Sequence, residues 1–368
     1  MQRRQFLEAA VFALLHPCRN AMSATSQIDA AARLLEQAVE SGQVAGAALR
    51  VQRRRREMVE SRGFHFGTAA SADAMFLLGS ITKPICMAAV MTLSDRGEFQ
   101  LDDRVVRYIP GFTGEGRDQV TIRHLLTHVS GLPDQLAGNA LLRRRHAGLE
   151  EFVEETLRTP LSFPAGTRYQ YSSMGILLLS HLAERIARQP IARLVEEAIF
   201  QPLKMQHSAL GVGRFCLADL LPVQTEKAAP EAGGGDPAAR EWDWNSRYWR
   251  ELGAPWGGGH ASAADLGLFL EELLGAQGAA LRPETARLMI RNHNPAGLTP
   301  RGLGFGVGRE AGSPGCSDET FGHTGSTGTL CWADPRTQTI CVVLTTLPGG
   351  AVKPHPREQA AAEVARTT

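Results

Sequence analysis

Lysine is nearly missing from this chain: four residues, at 83, 204, 227 and 353, stand against thirty-five arginines. Arginine is therefore the default cation. A guanidinium is effectively never deprotonated in a protein, whereas a desolvated ammonium readily yields its proton, so each retained lysine is a candidate for acid–base work. Net charge is nearly missing too, a formal +1 over 368 residues, and that balance gives no support to a nucleic-acid-binding role. Long apolar runs are lacking, so no segment reads as a stable membrane span. The six cysteines, at 18, 86, 216, 316, 331 and 341, form no Cys-x-x-Cys pair and no Cys/His zinc spacing. Neither a metal nor another cofactor is implied. Also missing are the Gly-x-Ser-x-Gly elbow of an α/β hydrolase, a phosphate-binding loop and any internal repeat. What these absences leave is a globular protein, 43% apolar, whose expected partner is a small molecule; they set no oligomeric state.

The chain opens with apolar residues at helical spacing, Ile28, Ala31, Ala32, Leu35 and Val39, followed by strand-like stretches at 47–51 and 58–61 around the run Arg53 to Arg56. That run reads as a solvated hairpin tip. From 80 to about 269 the pattern is mainly helical, over 81–96, 121–128, 150–158, 174–189 and 191–200. Residues 223–256 show no periodicity, and their Ala/Pro/Gly-rich middle, 228–239, reads as a mobile loop. Short strands follow at 304–309, 328–333 and 339–345, then a last helix near 357–366. Strands at both ends around a helical middle suggest one sheet completed from both termini. Cys331 and Cys341 would face each other if a three-residue loop joined their strands, as two buried thiols rather than a disulfide. Arg3 and Arg4, with a short apolar run at 9–15, resemble a twin-arginine export signal over residues 1–24, which places the protein in the periplasm or outside the cell, with the cytoplasm as the alternative.

Lys83 lies in an otherwise apolar stretch, and Ser80 precedes it by three residues at a helix start, which sets both side chains on one face. A serine hydroxyl is a weak nucleophile at its own pKa; a neutral amine within hydrogen-bond reach can take its proton during attack, and the helix N-terminus favours developing negative charge. Pro84 fits a helix start. Serine also caps helices in any protein, so the pair alone decides little. Tyr171, in Tyr169-Gln170-Tyr171-Ser172-Ser173, stands at a loop-to-helix junction where a phenol can face a cleft and ionise beside a cation. His323-Thr324-Gly325-Ser326 precedes the strand at 328–333, and its glycine lets a substrate approach a strand edge closely. His124 and His128 are four apart on a helix, but without the Glu of a His-Glu-x-x-His site they read as core or capping residues.

Taken in series, the stretch from Phe76 to Pro84, Tyr171-Ser172-Ser173 and His323-Thr324-Gly325 closely resemble the three motifs of the serine beta-lactamase and penicillin-binding superfamily, in particular its class C and family VIII esterase branch. The stretches from Thr121 to Leu132, from Pro202 to Met205 and from Trp256 to Gly259 are similar to the same branch, and the resemblance spans about 27–350 in order. It implies an α+β fold of beta-lactamase/transpeptidase type. An antiparallel sheet flanked by the N- and C-terminal helices (25–79 and 262–368) would pack on a mainly helical domain (80–261), with the active site between. It further implies Ser80 as nucleophile, Lys83 and Tyr171 as proton carriers, and the amides of Ser80 and Ser326 as oxyanion donors. Ser173, His323, Thr324 and Gly325 would contact a small ester, amide or beta-lactam substrate.

Two residues depart from the beta-lactamase pattern. Ser173 stands where Asn is usual and His323 where Lys is usual, and both replacements weaken the grip on a penicillin's amide and carboxylate. Hydrolysis of small carboxylic esters or amides is therefore expected ahead of beta-lactamase, D-alanyl-D-alanine carboxypeptidase or D-aminopeptidase activity. A catalytically silent ligand binder with this fold would not need Ser80, Lys83 and Tyr171 together.

Overall fold

The computed structural model describes residues 24–55 and 58–366. The export-signal expectation falls, but for Ala24, outside the described residues, as do Cys18 and Arg56.

Helix α1 (Ala24–Glu40) leads into a long hairpin of β1 (Gly46–Arg55) and β2 (Met58–Gly67). From the far end of the chain come β6 (Gly306–Val307), β7 (Phe321–Gly325), β8 (Thr329–Asp334) and β9 (Thr339–Thr345), and helix α11 (Pro356–Ala365) closes it. Between them lie β3 (Phe76–Leu77), α2 (Thr82–Asp95), α3 (Ile122–Leu126), α4 (Asn139–Arg144), α5 (Leu149–Arg158), α6 (Ser173–Ala187), α7 (Ile191–Val195), β4 (Ser208–Leu210), α8 (Arg247–Leu252), β5 (Gly259–Ala261), α9 (Ala263–Gly275) and α10 (Pro283–Met289).

The six strands from the two ends form one antiparallel sheet in the order β2-β1-β9-β8-β7-β6. The join is β1 against β9, with Ala47 opposite Thr345 and Arg53 opposite Thr339. Strand alternation sorts the sheet's side chains into two layers. Leu49, Val51, Leu330, Trp332, Cys341 and Val343 pack with Ile28 and Leu35 of α1 and Val364 of α11. Ala48, Cys331, Ala333, Val342 and Leu344 face the opposite way, into the main core with Phe269 and Leu270 of α9. The fold is thus the mixed α/β architecture that the motif order implied. A small second sheet, β3-β5-β4, runs through the otherwise helical middle.

The structure corrects several local expectations. The loop between β8 and β9 sets Asp334 opposite Thr339, so Cys331 faces Val342 and Cys341 faces Trp332. A one-residue offset across a pleated pair sends the two thiols to opposite layers, and both are free. Arg53 is not part of a solvated tip: β1 continues through it, it is buried, and its Nη2 donates to the Val364 carbonyl near the end of α11 at 2.8 Å. Residues 223–256 are packed by short 3-10 turns and α8, with Ala232, Ala239, Trp242, Trp244, Trp249 and Trp256 buried. The expected strand at 304–309 shrinks to β6, and the helix expected over 191–200 leaves α-helical geometry after Val195 for a wider π turn.

Removing a native disulfide costs about 2–4 kcal/mol. Because the described thiols are unpaired, a reducing agent is expected to leave the thermal midpoint in place; a fall of more than about 3 °C on reduction, followed by calorimetry, would show a bridge that this register forbids.

Candidate active site

The segment that presents Ser80 is held from both sides. Leu78 N–H donates to the Gly259 carbonyl on β5 at 2.8 Å. Its own carbonyl accepts from Thr329 Oγ1 on β8 at 2.7 Å, and the Leu77 carbonyl accepts from Thr327 Oγ1 at 2.6 Å. Gly79 then turns through the left-handed region at φ +55°, where a Cβ would meet Thr327 Oγ1 at 2.9 Å and the Ser326 nitrogen at 3.2 Å. Glycine here lets the chain reverse while lying against the end of β7. Gly325 does the same from the other side, since a Cβ there would stand 2.1 Å from the Leu78 carbonyl oxygen. The backbones of residues 79–80 and 325–326 are thereby brought side by side.

Ser80 sits in the 3-10 turn 79–81 that runs straight into α2. One turn on, Lys83 is 1% exposed. Its Nζ lies 2.9 Å from Ser80 Oγ and donates to the Trp256 carbonyl at 2.8 Å. Burial in apolar surroundings pushes the Lys83 ammonium down to about 7, with Asp134 opposing the shift and Arg301 adding to it. A neutral amine keeps an N–H for the Trp256 carbonyl and turns its lone pair toward the Ser80 hydroxyl along the same 2.9 Å line.

Tyr171 reaches the cavity from the loop before α6. Lys83 Nζ stands 4.8 Å from its ring centroid, and its hydroxyl is 3.5 Å from His323 Nε2. The expectation that this phenol ionises beside a cation is not met: burial pushes its pKa upward, only partly offset by the Ser80 hydroxyl, so it stays a proton donor. His128 supports it from behind. Its ring lies 4.6 Å from the Tyr171 ring, its Nδ1 accepts from Ser172 N–H at 3.2 Å, and its carbonyl accepts from Gln170 N–H at 2.9 Å. His124 completes a capping box with Thr121 at the start of α3. Both histidines thus have the structural roles read from the sequence.

His323, Thr324 and Gly325 precede the strand expected at 328–333, here β8, and themselves lie on a further strand, β7. β6 pairs only with Phe321 and Gly322, so the edge of β7 beyond them is open. His323 is held neutral, burial first and then the charges of Arg301 and Lys83 pushing its pKa well down.

All eight candidate residues line one two-lobed cavity. The first lobe, about 280 Å³, takes Ser80, Lys83, Tyr171, Ser173 and Ser326 together with Asp134, Gln135, Asn139, Trp244, Trp249 and Trp256. The second, about 400 Å³, shares Ser80, Tyr171 and Ser326 and adds His323, Thr324, Gly325 and Arg301. Sequence reasoning missed Arg301 and Asp134. Arg301 is 8% exposed, its guanidinium carbon 5.8 Å from the Tyr171 ring, and its Nε and Nη2 have no hydrogen-bond partner among the described residues. The lysine replaced by His323 therefore does not leave this lobe without a cation. Asp134 accepts from Ser173 Oγ at 2.5 Å and Ser173 N–H at 3.0 Å, so Ser173 is bonded to a carboxylate rather than free to replace an asparagine amide. Neither residue belongs to a local repeat or motif that would have marked it.

A family model described as Beta-lactamase matches residues 31–366. Esterase EstB of Burkholderia gladioli is 34% identical over 208 residues, covering 51% of this chain and 52% of the esterase, so the match spans about half of that relative. Among solved structures, EstCE1, a hydrolase with promiscuous acyltransferase activity, shares the fold at a TM-score of 0.73 and 21% identity over 94% of this chain and 98% of that one. The D-amino acid amidase of Ochrobactrum anthropi SV3 does so at 0.74 and 20%, over 93% and 99%. Among the described residues, no helix is long and apolar enough to cross a membrane.

Keeping an amine with a folded-state pKa near 7 buried costs stability, because the unfolded lysine binds its proton up to its ordinary pKa of 10.5. The unfolded state binds more protons between these values, so wild-type stability rises with pH from 7 to 10.5 on account of Lys83. Lys83→Met is expected to raise the thermal midpoint at pH 7 by several degrees, a gain that shrinks toward pH 10. Melting curves across that range check it, and a variant destabilised at pH 7 would refute the assigned burial cost.

Proposed function

The chain belongs to the beta-lactamase family and is a serine hydrolase, and from that premise we propose that Ser80 is its nucleophile, acylated by small carboxylic esters or amides. The observation that carries this reading is the 2.9 Å contact between Ser80 Oγ and a buried Lys83 whose pKa lies near 7. Near neutral pH a large share of the lysine is a free base already aimed at the hydroxyl proton. As Ser80 Oγ attacks the carbonyl carbon, Lys83 takes its proton, and the carbonyl oxygen gains charge beside the N–H groups of residues 80 and 326. An oxyanion donor of this kind is worth about 3 kcal/mol in the transition state. Tyr171, kept as a phenol by burial, protonates the departing alcohol or amine. That group leaves on the side of the Tyr171 hydroxyl and His323, into the second lobe, while the acyl group stays on Ser80 in the tryptophan-lined lobe. Water then attacks the acyl-enzyme with the same groups in reverse.

A second reading, beta-lactam or D-alanyl-D-alanine peptide hydrolysis, is favoured by Arg301, whose unpartnered guanidinium nitrogens suit a substrate carboxylate in the second lobe. Against it stand Ser173, tied to Asp134, and the neutral His323. The Arg3-Arg4 segment supports export to the periplasm.

Ser80→Ala is expected to abolish the covalent adduct seen by intact-protein mass spectrometry with a slowly released ester, without loss of fold; an adduct on the alanine variant would sink the assignment. In the wild type, kcat/KM for p-nitrophenyl butyrate is expected to rise with pH through about 7, as Lys83 loses its proton. A profile flat from pH 5 to 9 would remove Lys83 as the base.

Turnover of p-nitrophenyl butyrate is further expected to exceed that of nitrocefin, because an ester needs only nucleophile, base and oxyanion donors. Faster nitrocefin hydrolysis on the same preparation would transfer the preference to the second reading.

A further inference from the structure

We infer that Asp134 recognises a positive charge on the acyl part of the substrate, so that the chain prefers aminoacyl esters and amides to neutral acyl compounds of the same shape. This rests on the reading of Ser80 as the acylated residue.

Asp134 is half-buried on the wall of the first lobe. Both donors from Ser173 go to the same oxygen, Oδ1. The other oxygen meets no donor, and no cationic side chain lies within 4 Å of the carboxylate, among the described residues. Arg143 lines the same lobe but is turned elsewhere: its Nη2 donates to the Trp242 carbonyl at 3.0 Å, and its guanidinium lies 4.1 Å from the Trp249 ring centroid and 5.3 Å from that of Trp242. Lys83 feels the Asp134 charge without bonding to it, and its burial leaves it in large part neutral near pH 7. A carboxylate with a free oxygen and, among the described residues, no directly bonded counter-ion therefore faces the space where the acyl group must sit.

Withdrawing such a group from water is unfavourable unless a partner arrives, and a substrate ammonium is the partner that gains most there. The rest of the wall agrees. Gln135 and Asn139 offer neutral polar contacts, and Trp244 and Trp256 add aromatic lining, a surface more favourable to a cation than to an anion. The same charge disfavours acyl groups that carry a carboxylate. At about 280 Å³ the lobe has room for a short aminoacyl fragment.

The test compares alanine methyl ester, in both enantiomers, with methyl isobutyrate, which puts a methyl where alanine has its ammonium. Methanol release gives kcat/KM for the wild type and for Asp134→Asn, which keeps an acceptor for Ser173 while removing the charge. Intrinsic reactivity and any change in Lys83 cancel in the ratio of ratios. That double ratio is expected to fall at least about tenfold in the variant. On the wild type alone, isopropylammonium is expected to inhibit p-nitrophenyl butyrate hydrolysis at least about tenfold more strongly than isopropanol; this arm holds even if the variant fails to fold. A double ratio near one, or equal inhibition by the two compounds, overturns the inference and leaves the Ser80 reading standing. Failure of the wild type to hydrolyse p-nitrophenyl butyrate as well as both methyl esters overturns the Ser80 reading and this inference with it.

Discussion

The rest of the site depends on one unfavourable act, the burial of the Lys83 amine beneath Ser80. In water that amine would hold its proton through neutral pH and could not serve as the base proposed for it. Among the described residues its direct hydrogen-bond contacts are Ser80 Oγ and the Trp256 carbonyl, enough to orient it and too few to stabilise a full positive charge. Position 83 of an arginine-rich chain could not tolerate the usual cation. A guanidinium there would stay charged and could not accept the serine proton.

That burial requires the Ser80 segment to be pressed between two sheets, and glycine makes this possible. Side chains at 79 or 325 would push β7 away from residues 78–80. The C-terminal helix contributes as well: Arg357 Nη1 donates to the carbonyls of Gly325 and Thr329, tying the turn after β7 to α11. The geometry of the site is thus set largely by contacts to the main chain of residues 77–78 and 325–329.

The parts of the site legible in the sequence were those whose chemistry lies in short spacings. Ser80 and Lys83 are one helical turn apart, and Tyr171 and His323 stand in motifs whose order gave the fold. The α+β architecture was legible for a related reason, since period-2 and helical runs marked the strands at both ends and the helices between. What stayed hidden depends on tertiary placement. Asp134 is a loop residue that matters because Ser173 folds against it, and Arg301 was one arginine among thirty-five until its burial over the Tyr171 ring appeared. Arg53 misled because a charge run ordinarily means solvent, whereas here a helix end supplies the carbonyl that accepts a hydrogen bond from its guanidinium. The register of Cys331 and Cys341 turned on the length of one loop, which composition does not set.

The pairing of β1 with β9 has a consequence for how the enzyme comes to exist. Ala47 and its partner Thr345 are far apart in sequence, and the turn bearing Ser326, between β7 and β8, is made long after Ser80. A growing polypeptide on the ribosome carries Ser80, Lys83 and Tyr171 long before it can build the sheet that aligns them. Such long-range pairing is among the slower events in folding. The cavity around Ser80 therefore closes only after β9 has been made, and until then the nascent chain carries these side chains without the geometry that would let them act together.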